Sequence, residues 1–297
     1  PSTLLRMSRR DRNYLLGIVA SLVVGSLVAW AGSDGSVEVG SVPVFALCGA
    51  LAYVVNWVAF VPSYVARTEQ YFDLMGSVTY LSVVGAALLL SSDLDARAVV
   101  VALLVAVWAV RLGSFLFMRI RRDGGDGRFD KIKQSFLNFL MVWTIQGLWV
   151  FLTVACALAV ITAEDRSDFG WVAALGVVIW VGGFAIEVTA DRQKSAFRAD
   201  PANQGRFIDV GLWAWSRHPN YFGEIMLWTG IAVIALPVLS GWRWLMLISP
   251  VFVYVLLTRI SGVPMLEARA RKRWGDQEDF RAYTERTPVL MLRPPRN

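Results

Sequence analysis

The chain has 297 residues, 56% of them hydrophobic and only 18% charged, with a mean hydropathy of +0.51; soluble domains run at roughly 45–50% and about 25%, so a soluble globular class is excluded. The net charge of +6 and a pI near 9.6 fit the topology of a membrane protein rather than nucleic-acid binding, and no nucleic-acid partner is expected. One histidine and two cysteines, without a CxxC or Cys/His cluster, argue against zinc or iron–sulfur chemistry, and no metal is expected.

An apolar helix needs about 20 residues to cross the hydrocarbon layer. Hydropathy predicts spans over 14–31, 43–62, 71–91, 97–119, 134–161, 170–190, 221–239 and 242–260. The first lacks a small-residue cleavage site and further crossings follow it, which predicts a retained helix and not a signal peptide. The last two flank Ser240-Gly241 and read as a tight helical hairpin. The fold class is therefore an all-α integral membrane protein of 7–8 transmembrane helices.

Of the 29 basic residues, 25 fall on one side of the predicted membrane. The other side receives Arg97, Arg166 and Arg243, while Arg111 lies within a span. By the positive-inside rule both termini are expected in the cytoplasm. The polar segments 119–133 and 191–220 and the basic tail 265–297 then share the cytoplasmic face. No internal repeat is visible. The expected organisation is one membrane-embedded domain, 1–297, as a monomer in a bacterial inner membrane or an ER-like membrane.

Polar groups inside spans cost at least about 2.5–3.5 kcal/mol each at the helix centre and usually carry function. Asp73 opens the third span, Arg111 lies in the inner half of the fourth and Gln146 in the middle of the fifth. Glu187 and Asp191 end the sixth, and Glu224 sits near the start of the seventh. Their similar depth predicts one polar cavity open to the cytosol. Arg198, Arg206 and Arg217, with Arg119, Arg121 and Arg122 from the other polar segment, suit a ligand with several phosphates, because guanidinium groups bind phosphate in planar, bidentate fashion. Neither GxxxxGK[ST] nor GxGxxG is present, so the standard nucleotide folds are absent.

The run Trp213-Ala214-Trp215-Ser216-Arg217-His218-Pro219-Asn220-Tyr221-Phe222-Gly223-Glu224 enters a membrane helix. Arg273-Trp274-Gly275, Phe280, Tyr283 and Thr287-Pro288 follow. Together these resemble the C-terminal half shared by three groups: the steroid 5α-reductases with their bacterial DUF1295-type relatives, the sterol Δ14-reductases, and the isoprenylcysteine carboxyl methyltransferases. The stretch 187–224 is similar to the steroid 5α-reductase pattern without a gap, and the resemblance covers roughly 70–297. The first span has no counterpart in that family's seven-helix core.

The resemblance implies NADPH as cofactor, bound in the 121–297 half. Asp191, Arg198, Arg206, Asn220 and Glu224 match cofactor-contacting positions, Glu187 stands where animal enzymes carry asparagine, and Arg122, Trp215, Arg217, His218, Tyr221 and Tyr283 complete the expected cofactor-binding set. The 1–120 half, with its extra N-terminal helix, would receive a 3-oxo-Δ4-steroid or similar lipid enone from the bilayer. Asp73 takes the place of a family carboxylate that serves the steroid ketone, and Trp108 stands where the animal reductases carry a tyrosine. Tyr71 or Tyr80 would supply the missing hydroxyl, Tyr80 lying about two turns beyond Asp73 on the same face. Gln146-Gly147 matches a Gln-Gly-aromatic step, and Arg111 an arginine ending the substrate helix. The competing expectations are an S-adenosylmethionine-dependent methyltransferase acting on a prenylated (isoprenylcysteine) or other lipid acceptor, and a transporter or lipid-binding scaffold. The latter would show paired half-helices in an inverted repeat.

Overall fold

The computed structural model describes residues 8–123 and 127–295. The chain divides into two compact units, Pro1–Gly170 with Ala235–Ser249, and Trp171–Ile234 with Pro250–Asn297.

The first unit contains α1 (Arg9–Gly32), α2 (Val44–Val65), α3 (Phe72–Leu90), α4 (Ala96–Asp123) and α5 (Phe136–Ile161). Helix α1 starts on a capping arrangement: the Asp11 amide donates to Ser8 Oγ at 3.1 Å, and the Ser8 hydroxyl donates to the Asp11 carboxylate at 2.8 Å, which satisfies an orphan amide of the first turn. Between α1 and α2 a two-residue antiparallel hairpin pairs Glu38 with Pro43 and Val39 with Val42. Helix α5 is the hub. Every residue from Val150 to Ile161 is buried, and such all-round apolarity is what a helix enclosed by neighbours requires.

The three arginines assigned to the far face all hold backbone carbonyls. Arg243 is 2% exposed and donates to the carbonyls of Gly35 and Ala159 and to Thr162 Oγ1. Arg166 donates to Ile161 O at 3.1 Å and Ser92 O at 3.0 Å. Arg97 donates to Asp168 O and to Ser167 Oγ. A helix end leaves carbonyls without intrahelical partners, and here guanidinium groups supply the donors for the last turn of α5.

The second unit contains α6 (Trp171–Ala199), α7 (Pro219–Ala235), most of α8 (Ile248–Val255), α9 (Val263–Trp274) and α10 (Glu278–Arg286). Eight helical stretches among the described residues are long and apolar enough to cross a membrane, matching the eight predicted spans and the all-α membrane class. Two details differ. Helix α6 runs nine residues past its expected end and carries Asp191, Lys194 and Arg198 on a helix, within what the sequence marked only as a polar segment; hydropathy marks the apolar length, whereas the polar stretch Asp-Arg-Gln-Lys-Ser-Ala-Phe-Arg-Ala continues the same helix. The last predicted span is not one uniform helix: a tight 3₁₀ segment, Gly241–Leu247, leads into α8, and a π-helical turn, Leu256–Ile260, follows it.

Helices α6 and α7 meet through glycine. A Cβ placed on Gly183 would stand 2.6 Å from Gly223 O, and one on Gly230 would stand 2.7 Å from both Gly176 O and Trp180 N. Real Cβ atoms do not approach that closely, so this backbone-to-backbone packing exists only with glycine, as in other small-residue contacts between membrane helices. Gly230→Val is expected to lower stability by roughly 1–3 kcal/mol through overpacking, read as a fall in melting temperature in detergent. An unchanged melting temperature would show that the helices do not depend on this contact.

Candidate functional site

The close approach at Gly183 and Gly223 continues toward the polar ends of both helices. The Glu187 amide lies 2.7 Å from where a Gly223 Cβ would stand, and one turn further the Asn220 side-chain amide donates to Asp191 Oδ1 at 3.3 Å. Glu187 and Asp191 are buried, 2% and 6% exposed. Glu224 lies one turn past Asn220 on α7.

The segment entering α7 is held from three directions. From α6, Gln193 Oε1 accepts from the Leu212 amide at 2.9 Å, Ala190 O accepts from the Trp213 indole at 3.0 Å, and Lys194 Nζ stands 4.3 Å from the centre of the Trp213 ring. From α10, the Tyr283 hydroxyl donates to Trp213 O at 2.7 Å. From the tail, Pro288 O accepts from the Arg217 amide at 2.9 Å, Leu290 O accepts from the Ser216 hydroxyl at 2.9 Å, and the Arg293 amide donates to Trp215 O at 3.0 Å. Pro219 opens α7, where its missing N–H costs nothing. The His218 carbonyl accepts the first helical bond, from the Phe222 amide, while Ser216 Oγ accepts from the His218 amide at 3.2 Å.

These elements enclose a cavity of about 300 Å³. Six cationic side chains line it, Lys194, Arg198, Arg206, Arg217, Arg269 and Arg273, against one carboxylate, Glu267. Phe207, Trp274, Phe280 and Tyr283 form an aromatic wall, with ring centres of Phe207 and Phe280 5.2 Å apart and those of Phe207 and Tyr283 5.3 Å apart. Glu267 is shared: Arg217 Nη1 reaches one oxygen at 2.6 Å, and His218 Nε2 lies 2.9 Å from the other. Burial draws the His218 pKa below its ordinary value; Lys194 and Arg217 act in the same direction, and Glu267 opposes them. Burial also pushes the Tyr283 hydroxyl upward, so it remains a donor across the physiological range. With cations in such excess, the cavity attracts anions and offers guanidinium forks to phosphate oxygens.

The arrangement brings Arg198, Arg206, Arg217, His218 and Tyr283 to one cavity, with Glu187, Asp191, Asn220 and Glu224 on the adjoining helices. Trp215 is 40% exposed, and Tyr221 stacks on His218 at 5.6 Å. The side chain of Arg122 and residues 124–126 lie outside the described residues. Sequence reasoning missed Glu267, Lys194, Arg269 and Phe207. One signal was available: Glu267 is the lone acid of α9, Val-Pro-Met-Leu-Glu-Ala-Arg-Ala-Arg-Lys-Arg-Trp, an odd residue to keep in so basic a helix.

The residues expected to serve a lipid lie in the first unit, on α3, α4 and α5. Antiparallel packing of α3 on α4 pairs Tyr71 with Phe117 (6.4 Å between ring centres), Asp73 with Arg119 (3.5 Å, an ion pair) and Tyr80 edge-on with Trp108 (5.1 Å). Tyr80 and Trp108 are buried, whereas Tyr71 is 51% exposed. The Gln146 amide, from α5, donates to Phe72 O at 2.9 Å, next to Asp73. Arg111 lies against the Phe115 ring. Arg119, which the sequence placed among the loop cations, thus engages the carboxylate of α3.

The model of a family described as a protein of unknown function, DUF1295, matches residues 59–287. The chain belongs to the DUF1295 family. Among curated proteins, this DUF1295 chain is 24% identical over 189 residues to an uncharacterized protein of Schizosaccharomyces pombe, covering 52% of this chain and 54% of that one. It is 32% identical over 83 residues to the steroid 5-alpha-reductase DET2 of Arabidopsis thaliana, covering 27% and 29% of the two chains. With DET2 of Gossypium hirsutum it is 31% identical over 111 residues, covering 37% and 38%. The DUF1295 chain therefore spans about half the length of these relatives or less. No solved structure matches it.

Tyr283→Phe removes the donor to the buried Trp213 carbonyl and is expected to cost about 1–3 kcal/mol, measured as a lower melting temperature. A variant as stable as the wild type would mean that α10 does not hold this segment.

Proposed function

We propose that this DUF1295 protein reduces the conjugated carbon–carbon double bond of a 3-oxo-Δ4-steroid or similar lipid enone with NADPH. The observation that carries the reading is the cationic, aromatic-walled cavity built on the Arg217-His218-Pro219-Asn220 segment. The partial similarity to plant steroid 5-alpha-reductases supports the reaction class, an oxidoreductase of membrane lipids. The excess of cations also separates this reading from the methyltransferase one. S-adenosylmethionine carries a sulfonium and no phosphate, and a lining of six cations and one carboxylate repels it. NADPH, with three phosphates, suits the same lining.

When bound, the cofactor supplies the hydride for the β carbon of the enone. Arg198, Arg206, Arg217, Arg269 and Arg273 would hold its phosphates. Asn220, fixed by Asp191, and Glu224 would hold the nicotinamide end and so set which ring face is offered. As the hydride arrives, the enone oxygen gathers negative charge, and a donor aimed at that oxygen lowers the barrier. In this reading Asp73 with its partner Arg119 serves that oxygen, Asp73 as an acid or by orienting a neighbouring donor. Gln146 supports the first turn of α3 through its hydrogen bond to Phe72 O, and the buried Tyr80–Trp108 pair and Arg111 shape the lipid pocket. The arginine asymmetry supports a cytoplasmic position for the cofactor cavity, and in this reading lipid arrives from the bilayer to a monomeric enzyme.

Two measurements test the reading. Isothermal titration in detergent is expected to show tighter binding of NADPH than of NADH. Arg206→Ala and Arg198→Ala are each expected to weaken NADPH binding by roughly 1.5–3 kcal/mol, the worth of a charge-assisted contact. Equal affinity for the two dinucleotides, or tight binding of S-adenosylmethionine, would contradict the assignment. For the enone oxygen, Asp73→Asn keeps size and a donor, whereas Asp73→Leu keeps neither. The Asn variant is expected to retain partial turnover of a 3-oxo-Δ4-steroid, and the Leu variant to lose about 10²–10³ in rate, with NADPH binding preserved in both. Wild-type rates in both would reduce Asp73 to a structural charge and turn attention to Tyr71 and Tyr80.

A further inference from the structure

The carboxylate of Glu267 is the one acid among the described residues lining the cationic cavity, and its two oxygens are divided between two neighbours. One takes Arg217 Nη1 at 2.6 Å and the other faces His218 Nε2 at 2.9 Å. An ionised carboxylate only accepts, so the proton of a neutral imidazole resides on Nε2 and Nδ1 presents a lone pair. That Nδ1 is buried and has no hydrogen-bond partner in the structure. His218 is 5% exposed, lines the cavity and is backed by the Tyr221 ring, stacked at an interplanar angle of 10°. Tyr221 is in turn confined by Gly262, where a Cβ would stand 2.8 Å from the Tyr221 ring. A buried acceptor left unmade is costly and requires an explanation.

We propose that Glu267 is a positioning residue of the ligand pocket: it fixes His218 in the Nε2–H tautomer so that Nδ1 accepts a hydrogen bond from a hydroxyl or amide N–H of the phosphate-bearing ligand. This rests on the reading of the cavity as the cofactor pocket. The remaining lining is rich in donors, because arginine and lysine side chains offer N–H groups and no acceptor. A neutral imidazole acceptor adds what those cations lack: it distinguishes a nucleotide that carries hydroxyl or amide donors from a bare polyphosphate. Neutrality is required for this, and it follows from the surroundings. His218 faces Glu267 from α9, Lys194 from α6, Arg217 from its own segment and the Tyr221 ring from α7; burial and the two cations outweigh the carboxylate and hold the imidazole neutral near pH 7.

The chain has a single histidine, so ¹⁵N-labelled imidazole reports on this residue alone in the intact protein in detergent. The wild type is expected to show a protonated Nε2 and an unprotonated Nδ1 near neutral pH, and the Nδ1 signal is expected to move when NADPH is added. Glu267→Gln is isosteric but has one oxygen and one NH₂ group. Arg217 keeps the oxygen, the NH₂ then faces Nε2, and the proton is expected to transfer to Nδ1. In that variant NADPH is expected to bind roughly tenfold more weakly or worse, as a donor replaces the acceptor. Glu267→Asp, which keeps the charge, is expected to restore the Nε2–H tautomer, and melting temperatures identify any variant that fails to fold. An Nδ1–H tautomer in the wild type would overturn the proposal. So would an unchanged tautomer in Glu267→Gln, or an inverted tautomer with unaltered NADPH affinity. Failure of the wild type to bind NADPH would instead defeat the cofactor reading, and the tautomer of the ligand-free protein would still decide whether Glu267 governs His218.

Discussion

The glycine-to-glycine contact between α6 and α7 is the constraint on which the polar chemistry of the second unit depends. Gly176 and Gly183 face Gly230 and Gly223 at separations that admit no side chain. Two helices brought that close must present their next residues to each other, and these are Glu187 and Asp191 on one and Asn220 on the other. Buried carboxylates of this kind are tolerated only where partners are within reach, and the Asp191–Asn220 hydrogen bond is such a partnership. Backbone proximity thus converts four glycines, which carry no chemistry, into the placement of three residues that do.

Arginine is used in two opposite ways. Arg97 and Arg243 are almost wholly buried and, with Arg166, each donate from the guanidinium tip to backbone carbonyls of helix ends and connecting turns, where an unmade bond would be expensive. Five arginines of the second unit, Arg198, Arg206, Arg217, Arg269 and Arg273, crowd one cavity with a single carboxylate among them. Like charges gathered so closely repel one another, and the arrangement becomes favourable when an anion arrives. The same residue type therefore stabilises the helix termini of the first unit and leaves the second primed for a polyanion.

Much of this was legible in the sequence, for reasons that differ from residue to residue. The eight spans follow from apolar length alone, and Arg198, Arg206, Arg217 and Asn220 stood out because charge and amide groups flank a helix entry. What escaped was whatever left no mark in composition. The helical extension of α6 is polar and merges with a loop in any hydropathy reading. The π-helical turn before α9 conserves hydropathy while changing hydrogen-bond pattern. The strap formed by residues 288–293 acts mainly through backbone groups, so its side chains give no hint of it. Glu267 was hidden by its surroundings, since a basic helix after the last span reads as topology, and Arg119 was counted with the loop cations although it engages Asp73.

The proposed transfer of hydride to a lipid enone is open to a direct test by isotopic labelling. Purified protein would be given NADPH deuterated at the transferable position of the nicotinamide, together with a 3-oxo-Δ4-steroid, and the product analysed by mass spectrometry. The expected product is a saturated ketone carrying one deuterium on the former β carbon. Recovery of unreduced enone under conditions where NADPH is bound, or of a reduced product without deuterium at that carbon, would contradict that transfer.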